Sequence, residues 1–273
     1  MPVISRITTQ QKNKERYNIF LNQDSKETFG FSVDESVLIE YHLHKGLELD
    51  QATIDELMKK DEEEKAYNMV IHYLSYRMRT EKEIVDYLTK KDIPETHIAA
   101  IMEKLTQKKL INDNEFAEAF VRTRMGTSTK GPRLIQKELL EKGITDNIAA
   151  QALKQYTYKD QFNQAQKLLK KKLNQRTKHS HRQKIERIQN NLLQKGFSQD
   201  IVKEVVASHA VEKDETEEWE AIVHHGTKQL RKLQRKYDGH ELENKLKESL
   251  YRKGFPFTMI QSFLEDYVEE QPE

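Results

Sequence analysis

A short cassette of apolar residues recurs four times in this chain and constrains its fold more than any other feature. Its positions i, i+4 and i+9 read Ile84, Leu88, Ile93, then Ile135, Leu139, Ile144, then Ile188, Leu192, Phe197, then Leu246, Leu250, Phe255. The last positions, 93, 144, 197 and 255, fall 51, 53 and 58 residues apart. A lysine stands two residues before each of them: Lys91, Lys142, Lys195 and Lys253. Gly143, Gly196 and Gly254 stand one residue before it in the later copies, and Asp92 takes that place in the first. Self-similarity at this period means tandem supersecondary units, each burying one apolar face. A helical array without a chemical motif is usually a surface for holding a partner, not a pocket for reacting one.

Composition narrows the class. In 273 residues, 36% are hydrophobic and 33% charged. The apolar residues are periodic, so thin helical modules with large wetted faces fit better than disorder. Gly (9) and Pro (5) are scarce, which suits long helices and short connections. Cysteine is absent, which excludes a disulfide framework, a thiolate nucleophile and Cys-ligated zinc, and fits a reducing cytosol. Met1–Tyr17 lacks the apolar core of a signal peptide. No apolar run approaches the roughly 18 residues a membrane helix needs. A soluble, cytoplasmic monomer is expected.

Along the chain, Val3-Ile4, Tyr17–Leu21 and Thr28–Phe31 are β-rich and separated by turn-like segments, which predicts a small antiparallel sheet within residues 1–31. A helix capped by Asp34 or Ser32 should follow and end at Gly46, then a second over Leu49–Lys60 capped by Asp50. The acidic run Asp61–Glu64 reads as the passage into the repeats. Each repeat reads as three helices. Thr80 and Glu83 form a capping box, Pro94 opens a helix at its first turn, and Asp113 and Thr145 are N-caps. A loop spans Gly126–Gly131. The fold expected is mainly α: tandem three-helix-bundle repeats after a small α+β N-terminal module. The modules are 1–61, 62–111, 112–157, 158–211 and 212–273.

Net charge is only +1, but it is patchy. Arg122, Arg124, Lys130 and Arg133 surround the Gly126–Gly131 loop, just before a helix N-terminus that can accept an anion. Lys170, Lys171, Lys172, Arg176 and Lys178 cluster at the end of the first helix of the third repeat. Lysines at helical spacing repel unless a polyanion or acidic partner neutralises them. These nine residues are the candidate filament- or nucleic-acid-binding set, with an ordinary solvated face as the competing reading. The acidic residues within 212–220 offer a face for basic protein loops. The histidine pairs lack the i, i+4 spacing with carboxylate support that a metal site wants, and no nucleotide loop or nucleophile elbow occurs. No catalytic residue, metal or cofactor is expected, and the chain reads as a non-enzyme.

Three segments carry a resemblance: Tyr73-Leu-Ser-Tyr-Arg-Met-Arg-Thr-Glu-Lys-Glu-Ile84, Leu110-Ile-Asn-Asp-Asn-Glu-Phe-Ala117 and Lys130-Gly-Pro-Arg-Leu-Ile-Gln-Lys-Glu-Leu-Leu-Glu-Lys-Gly-Ile144. In order and spacing they resemble the RecX family of recombinase regulators. The likeness is strongest over residues 66–200, and the fourth repeat and N-terminal module look like the longer Gram-positive members. It implies an elongated, curved array that binds the groove of the RecA–single-stranded DNA filament. There it limits strand exchange, ATP hydrolysis and co-protease activity in DNA repair and the SOS response. Some members also bind DNA, so single-stranded and double-stranded DNA join RecA as expected partners. The family has no catalytic residues to carry over. The competing function is a stand-alone helical nucleic-acid binder, either a helix-turn-helix-like repressor or a single-strand binder, which would need a recognition helix aimed at base edges.

Overall fold

A computed structural model describes residues 1–23, 26–209 and 214–269. At the N-terminus β1 (Val3–Thr9), β2 (Arg16–Gln23) and β3 (Lys26–Asp34) form one antiparallel sheet in the order β1-β2-β3. Ile19 faces Ile7 on one side and Phe31 on the other, and alternate residues bury one face. The sheet runs three residues past the expected limit, because Arg16 and Tyr17 still pair with Asp34 and Val33. α1 (Glu35–Glu40) is capped by Asp34, whose side chain accepts from Ser36 N–H. It ends well before Gly46, with His42 at φ +49°.

α2 (Gln51–Tyr76) corrects the sequence reading most. It is a single 26-residue helix where two were expected, and the boundary placed after residue 61 falls inside it. The acidic run is part of the packing. The Asp61 carboxylate is 2% exposed. It receives Arg16 through both guanidinium nitrogens at 3.0 and 2.8 Å, Lys65 at 2.8 Å, and the Asp34 N–H at 2.8 Å. Glu64, also buried, pairs with Lys104. The first half of α2 packs Ile54 and Leu57 on the sheet with Ile4, Ile19 and Val33. Its second half packs Ala66, Tyr67 and Val70 on α3 (Glu81–Thr89) and α4 (Glu95–Gln107). One helix therefore serves both the N-terminal module and the first repeat.

The later repeats are α5 (Asp113–Thr127), α6 (Pro132–Glu141) and α7 (Asp146–Leu153); α8 (Tyr158–Leu173), α9 (His181–Gln194) and α10 (Gln199–Ser208); and α11 (Glu215–Leu233), α12 (Gly239–Arg252) and α13 (Phe257–Leu264), with a π-helical turn at Glu265–Glu269. Every cassette position is buried or partly buried, from Ile84 and Leu88 to Leu250 and Phe255. The capping box forms as expected, with Thr80 accepting from Glu83 N–H and Glu83 accepting from Thr80 N–H. Two local expectations change. Asn112, not Asp113, caps α5, because its side-chain Oδ1 accepts from the N–H groups of Asn114 and Glu115. Pro94 is itself the N-cap of α4.

Two compact units divide the chain, Met1–Phe116 with Lys142–Ile144, and Ala117–Glu141 with the residues from Thr145 onward. Within them one junction recurs: the lysine-glycine turn of each later cassette sits on the start of the middle helix of the preceding repeat. In the first unit Thr80 Oγ1 donates to the Lys142 carbonyl at 2.8 Å. In the second, Gly131 N–H and Arg133 N–H donate to the Lys195 and Gly196 carbonyls at 2.7 and 3.2 Å. There too Ser180 Oγ donates to the Lys253 carbonyl. Thr80 and Ser180 are fully buried there. The turn glycines have φ of +89°, +90° and +84°, and a Cβ on Gly143 or Gly196 has no room, while one on Gly254 would sit tightly, 3.0 Å from Arg182 Cβ. On Gly196 a Cβ would lie 2.7 Å from Leu134 N, and on Gly143 2.5 Å from Lys82 Cβ. Asp92, in the first cassette, also adopts a positive φ, +56°.

Candidate functional site

The residues of the sequence motifs are largely engaged in these junctions. Glu83 accepts from both guanidinium nitrogens of Arg77 at 3.0 and 3.1 Å and from Lys142 Nζ at 2.7 Å. Burial alone would raise its carboxyl, but the bonds from Arg77 and Lys142 outweigh that and hold it at about 2. The Arg79 guanidinium lies 3.9 Å over the Tyr73 ring, which stacks on Tyr87 with centroids 4.2 Å apart. These contacts give the Arg-Met-Arg-Thr-Glu-Lys-Glu stretch a role in holding repeats together.

The two basic clusters have different surroundings. In the first, Arg124 Nε donates to Glu138 at 2.8 Å and lies 4.7 Å over the Phe120 ring. Lys130 pairs with the other Glu138 oxygen. Burial would raise Glu138, but Lys130 and Arg124 outweigh it and hold the carboxyl below its ordinary range. Arg122 is exposed and 3.7 Å from Glu118. Arg133 is exposed on α6, and its backbone is in the junction. The loop expected over Gly126–Gly131 is shorter, since Gly126 and Thr127 continue α5.

In the second cluster Lys170, Lys171 and Lys172 form the last turn of α8, and Arg176 and Lys178 lie in the loop before α9. All five are exposed, and no acidic side chain of the described residues pairs with them. A helix C-terminus carries about half a negative charge, which one lysine would satisfy. Five cations leave a surplus on this end of the repeat. The basic stretch legible in the sequence runs on through Lys184 and Arg187, but it does not show that these two line one face with Ile188 and Asn191. Lys184, Arg187, Ile188 and Asn191 follow i, i+3, i+4, i+7 spacing on α9 and line one concave surface with Thr177 and His179 of the preceding loop. That spacing was the available signal.

Two glutamates of the acidic run face inward. Glu217 accepts from Lys184 Nζ at 3.0 Å and from Thr177 N–H at 2.9 Å. Glu218, 3% exposed, accepts from His181 N–H at 2.7 Å. These two are thus unavailable to a partner's basic loops, while Glu212 lies outside the described residues. Among the described residues no helix is long and apolar enough to cross a membrane, and no group of His, Cys, Asp and Glu is placed to hold a metal.

Fold and junctions define a tandem three-helix-repeat protein with a small sheet module at its N-terminus. Four family descriptions match it in order. The regulatory protein RecX N-terminal domain matches residues 2–50, the first RecX three-helix domain 66–105 and the second 112–153. The third matches twice, at 159–206 and 215–264. The regulatory protein RecX of Oceanobacillus iheyensis is 46% identical over 272 residues, covering 99% of this chain and all of that one. That of Halalkalibacterium halodurans is 40% identical over 266 residues, covering 97% of this chain and all of that one. A crystal structure of regulatory protein RecX aligns with TM-score 0.69 at 38% identity over 76% of this chain and 100% of that one. Another, of RecX from Lactobacillus salivarius, aligns at 0.53 with 44% identity over 55% of this chain and 97% of that one. The chain belongs to the RecX family of regulatory proteins.

Proposed function

We propose that this protein binds the RecA–single-stranded DNA filament and restrains RecA, lowering strand exchange, ATP hydrolysis and co-protease activity. The unpaired surplus Lys170, Lys171, Lys172, Arg176 and Lys178 carries the reading. Like charges at this spacing cost free energy in the free protein and regain it beside phosphates or an acidic protein surface. Arg122 and Arg133 are two further exposed cations. Arg124 and Lys130 contribute less, since Glu138 already neutralises them. The modules 1–61, 62–111, 112–157, 158–211 and 212–273 are taken as the units that engage successive protomers, so weak contacts sum to avidity.

The test is strand exchange and RecA ATPase with increasing protein. Inhibition is expected well below one copy per RecA protomer, and unchanged strand exchange at equimolar protein overturns the proposal. Reversing Lys170, Lys171 and Lys172 to Glu should weaken filament binding. The log–log salt slope should fall by about two, at roughly 0.7 per phosphate on a single strand. If naked single-stranded DNA binds as tightly as the filament and RecA adds nothing, the stand-alone nucleic-acid binder replaces this reading.

A further inference from the structure

A basic cavity of about 250 Å³ lies in the third repeat, and among the described residues no acidic side chain lines it. Lys172 comes from the last turn of α8, Thr177 and His179 from the loop that follows, and Lys184, Arg187 and Asn191 from one face of α9. Lys184 is committed to Glu217 at 3.0 Å. The charges of Lys172 and Arg187 have no such partner among the described residues, and both side chains are exposed at the cavity mouth. Two cations, a hydroxyl, an amide and an imidazole around one concave space suit an oxyanion, which can accept from all of them at once.

We infer that this cavity binds a phosphate ester, with Lys172 and Arg187 pairing with the anion, Thr177 and Asn191 donating to its oxygens, and His179 taking up a proton as the site fills. The proton comes from solvent and returns there on release, and no bond of the ester breaks. The groups facing His179 explain the coupling. Lys178 is its chain neighbour, Arg187 and the Lys184–Glu217 pair lie across the cavity, and Lys253 approaches from the turn after α12. From α11, His225 stacks 6.1 Å from the His179 ring, with His224 beside it. Burial first, then Arg187 and Lys253, hold the His179 imidazole below its ordinary value, so it is neutral at pH 7 in the free protein. His225 is also held low, by burial and then Lys253. An anion beside Arg187 reverses the local field and raises the His179 imidazole. A group more protonated in the bound state makes binding tighten as pH falls, from its bound value down to its free one.

The phosphodiester backbone of a single strand and the phosphate of a free nucleotide both present this chemistry. The first source rests on the function proposed above; the second does not. The experiment is fluorescence anisotropy with an oligothymidylate lacking terminal phosphates, whose diesters do not titrate, at constant ionic strength. Thymidine monophosphate serves as competitor, and RecA is absent. Binding should tighten about threefold to fivefold between about pH 7.5 and pH 6 for a rise of about one unit in the imidazole on binding. In His179→Asn that ratio should fall to about one. Lys172→Gln and Arg187→Gln should each weaken binding about tenfold at both pH values. Competition by the mononucleotide at equal phosphate concentration would assign the site to free nucleotides, and its failure to compete to the strand. A pH ratio that survives in His179→Asn overturns the inference, as does unchanged affinity in both glutamine variants. Filament inhibition without any oligonucleotide binding would sink the cavity and leave the proposed function standing. Oligonucleotide binding without inhibition would do the reverse.

Discussion

The junction between the second and third repeats predicts a specific hierarchy of alanine substitutions. Gly46 has φ +94° and nothing within 4 Å of the place a Cβ would take, so Gly46→Ala tests backbone strain alone. Strain of that kind costs about 1–3 kcal/mol. Gly131 is the opposite case: its φ is ordinary, but a Cβ would lie 2.5 Å from the Gly196 carbonyl carbon. Gly131→Ala therefore tests close packing alone, and overpacking against backbone costs about 1–3 kcal/mol. Gly196 combines φ +90° with a Cβ only 2.7 Å from Leu134 N, so Gly196→Ala should cost about 2–6 kcal/mol, the sum of both terms. Gly239 lies in the same unit as Gly196 with φ +46° and open space around it. In that left-handed well Gly239→Ala should cost about 1–2 kcal/mol. Urea titration followed by far-UV circular dichroism, with native-state hydrogen exchange to assign the loss to its unit, measures all four. If Gly196→Ala and Gly131→Ala cost no more than Gly239→Ala, the close backbone approach at this junction does not exist.

Three further outcomes follow from contacts already described. Glu83 sits at about 2 against an ordinary value of 4.5, so its contribution is present above pH 4.5 and lost as pH falls toward 2. Glu83→Gln should destabilise the first unit by about 1–3 kcal/mol at neutral pH and flatten its loss of stability in acid; an unchanged acid profile would refute the Arg77–Glu83–Lys142 network. A chain begun at residue 62 lacks Asp61 and half of α2, so amides around Ala66 and Val70 should exchange about tenfold faster than in the full chain. Equal protection would mean that the first repeat does not need the N-terminal half of the helix. Glu138→Gln should lower stability by about 0.5–1 kcal/mol because it releases Arg124 and Lys130, whereas Lys171→Gln should leave melting within about 0.5 kcal/mol and change only the salt dependence of binding.

The helical repeat was legible because it rests on local signals. Cassette spacing marked Ile135, Leu139, Leu246 and Leu250 as buried, and the Thr80–Glu83 box marked a helix start, since each depends only on residues a turn or two apart. The errors fell on charges whose partners are distant in sequence. Asp61 looked like the passage into the repeats because Arg16, 45 residues earlier, is brought to it only by the sheet. Arg124 and Lys130 looked like free cations because Glu138 reaches Arg124 from another helix, 14 residues away. Glu217 and Glu218 looked like an outward acidic patch for the same reason, since their partners Thr177 and His181 are 40 and 37 residues upstream. The lysines at the end of α8 stood out in the sequence as a run of cations, and among the described residues no acidic side chain pairs with them.

Asp92 gives the array a direction. Aspartate tolerates a left-handed turn nearly as well as asparagine, so the first cassette keeps the bend of the others. It also keeps a side chain where every later cassette presents a bare Cα to the helix before it. That difference acts as a punctuation mark. A duplicated module spliced in upstream of the first repeat would find its docking surface blocked until Asp92 became glycine, whereas one added downstream needs only to bring its own lysine-glycine turn.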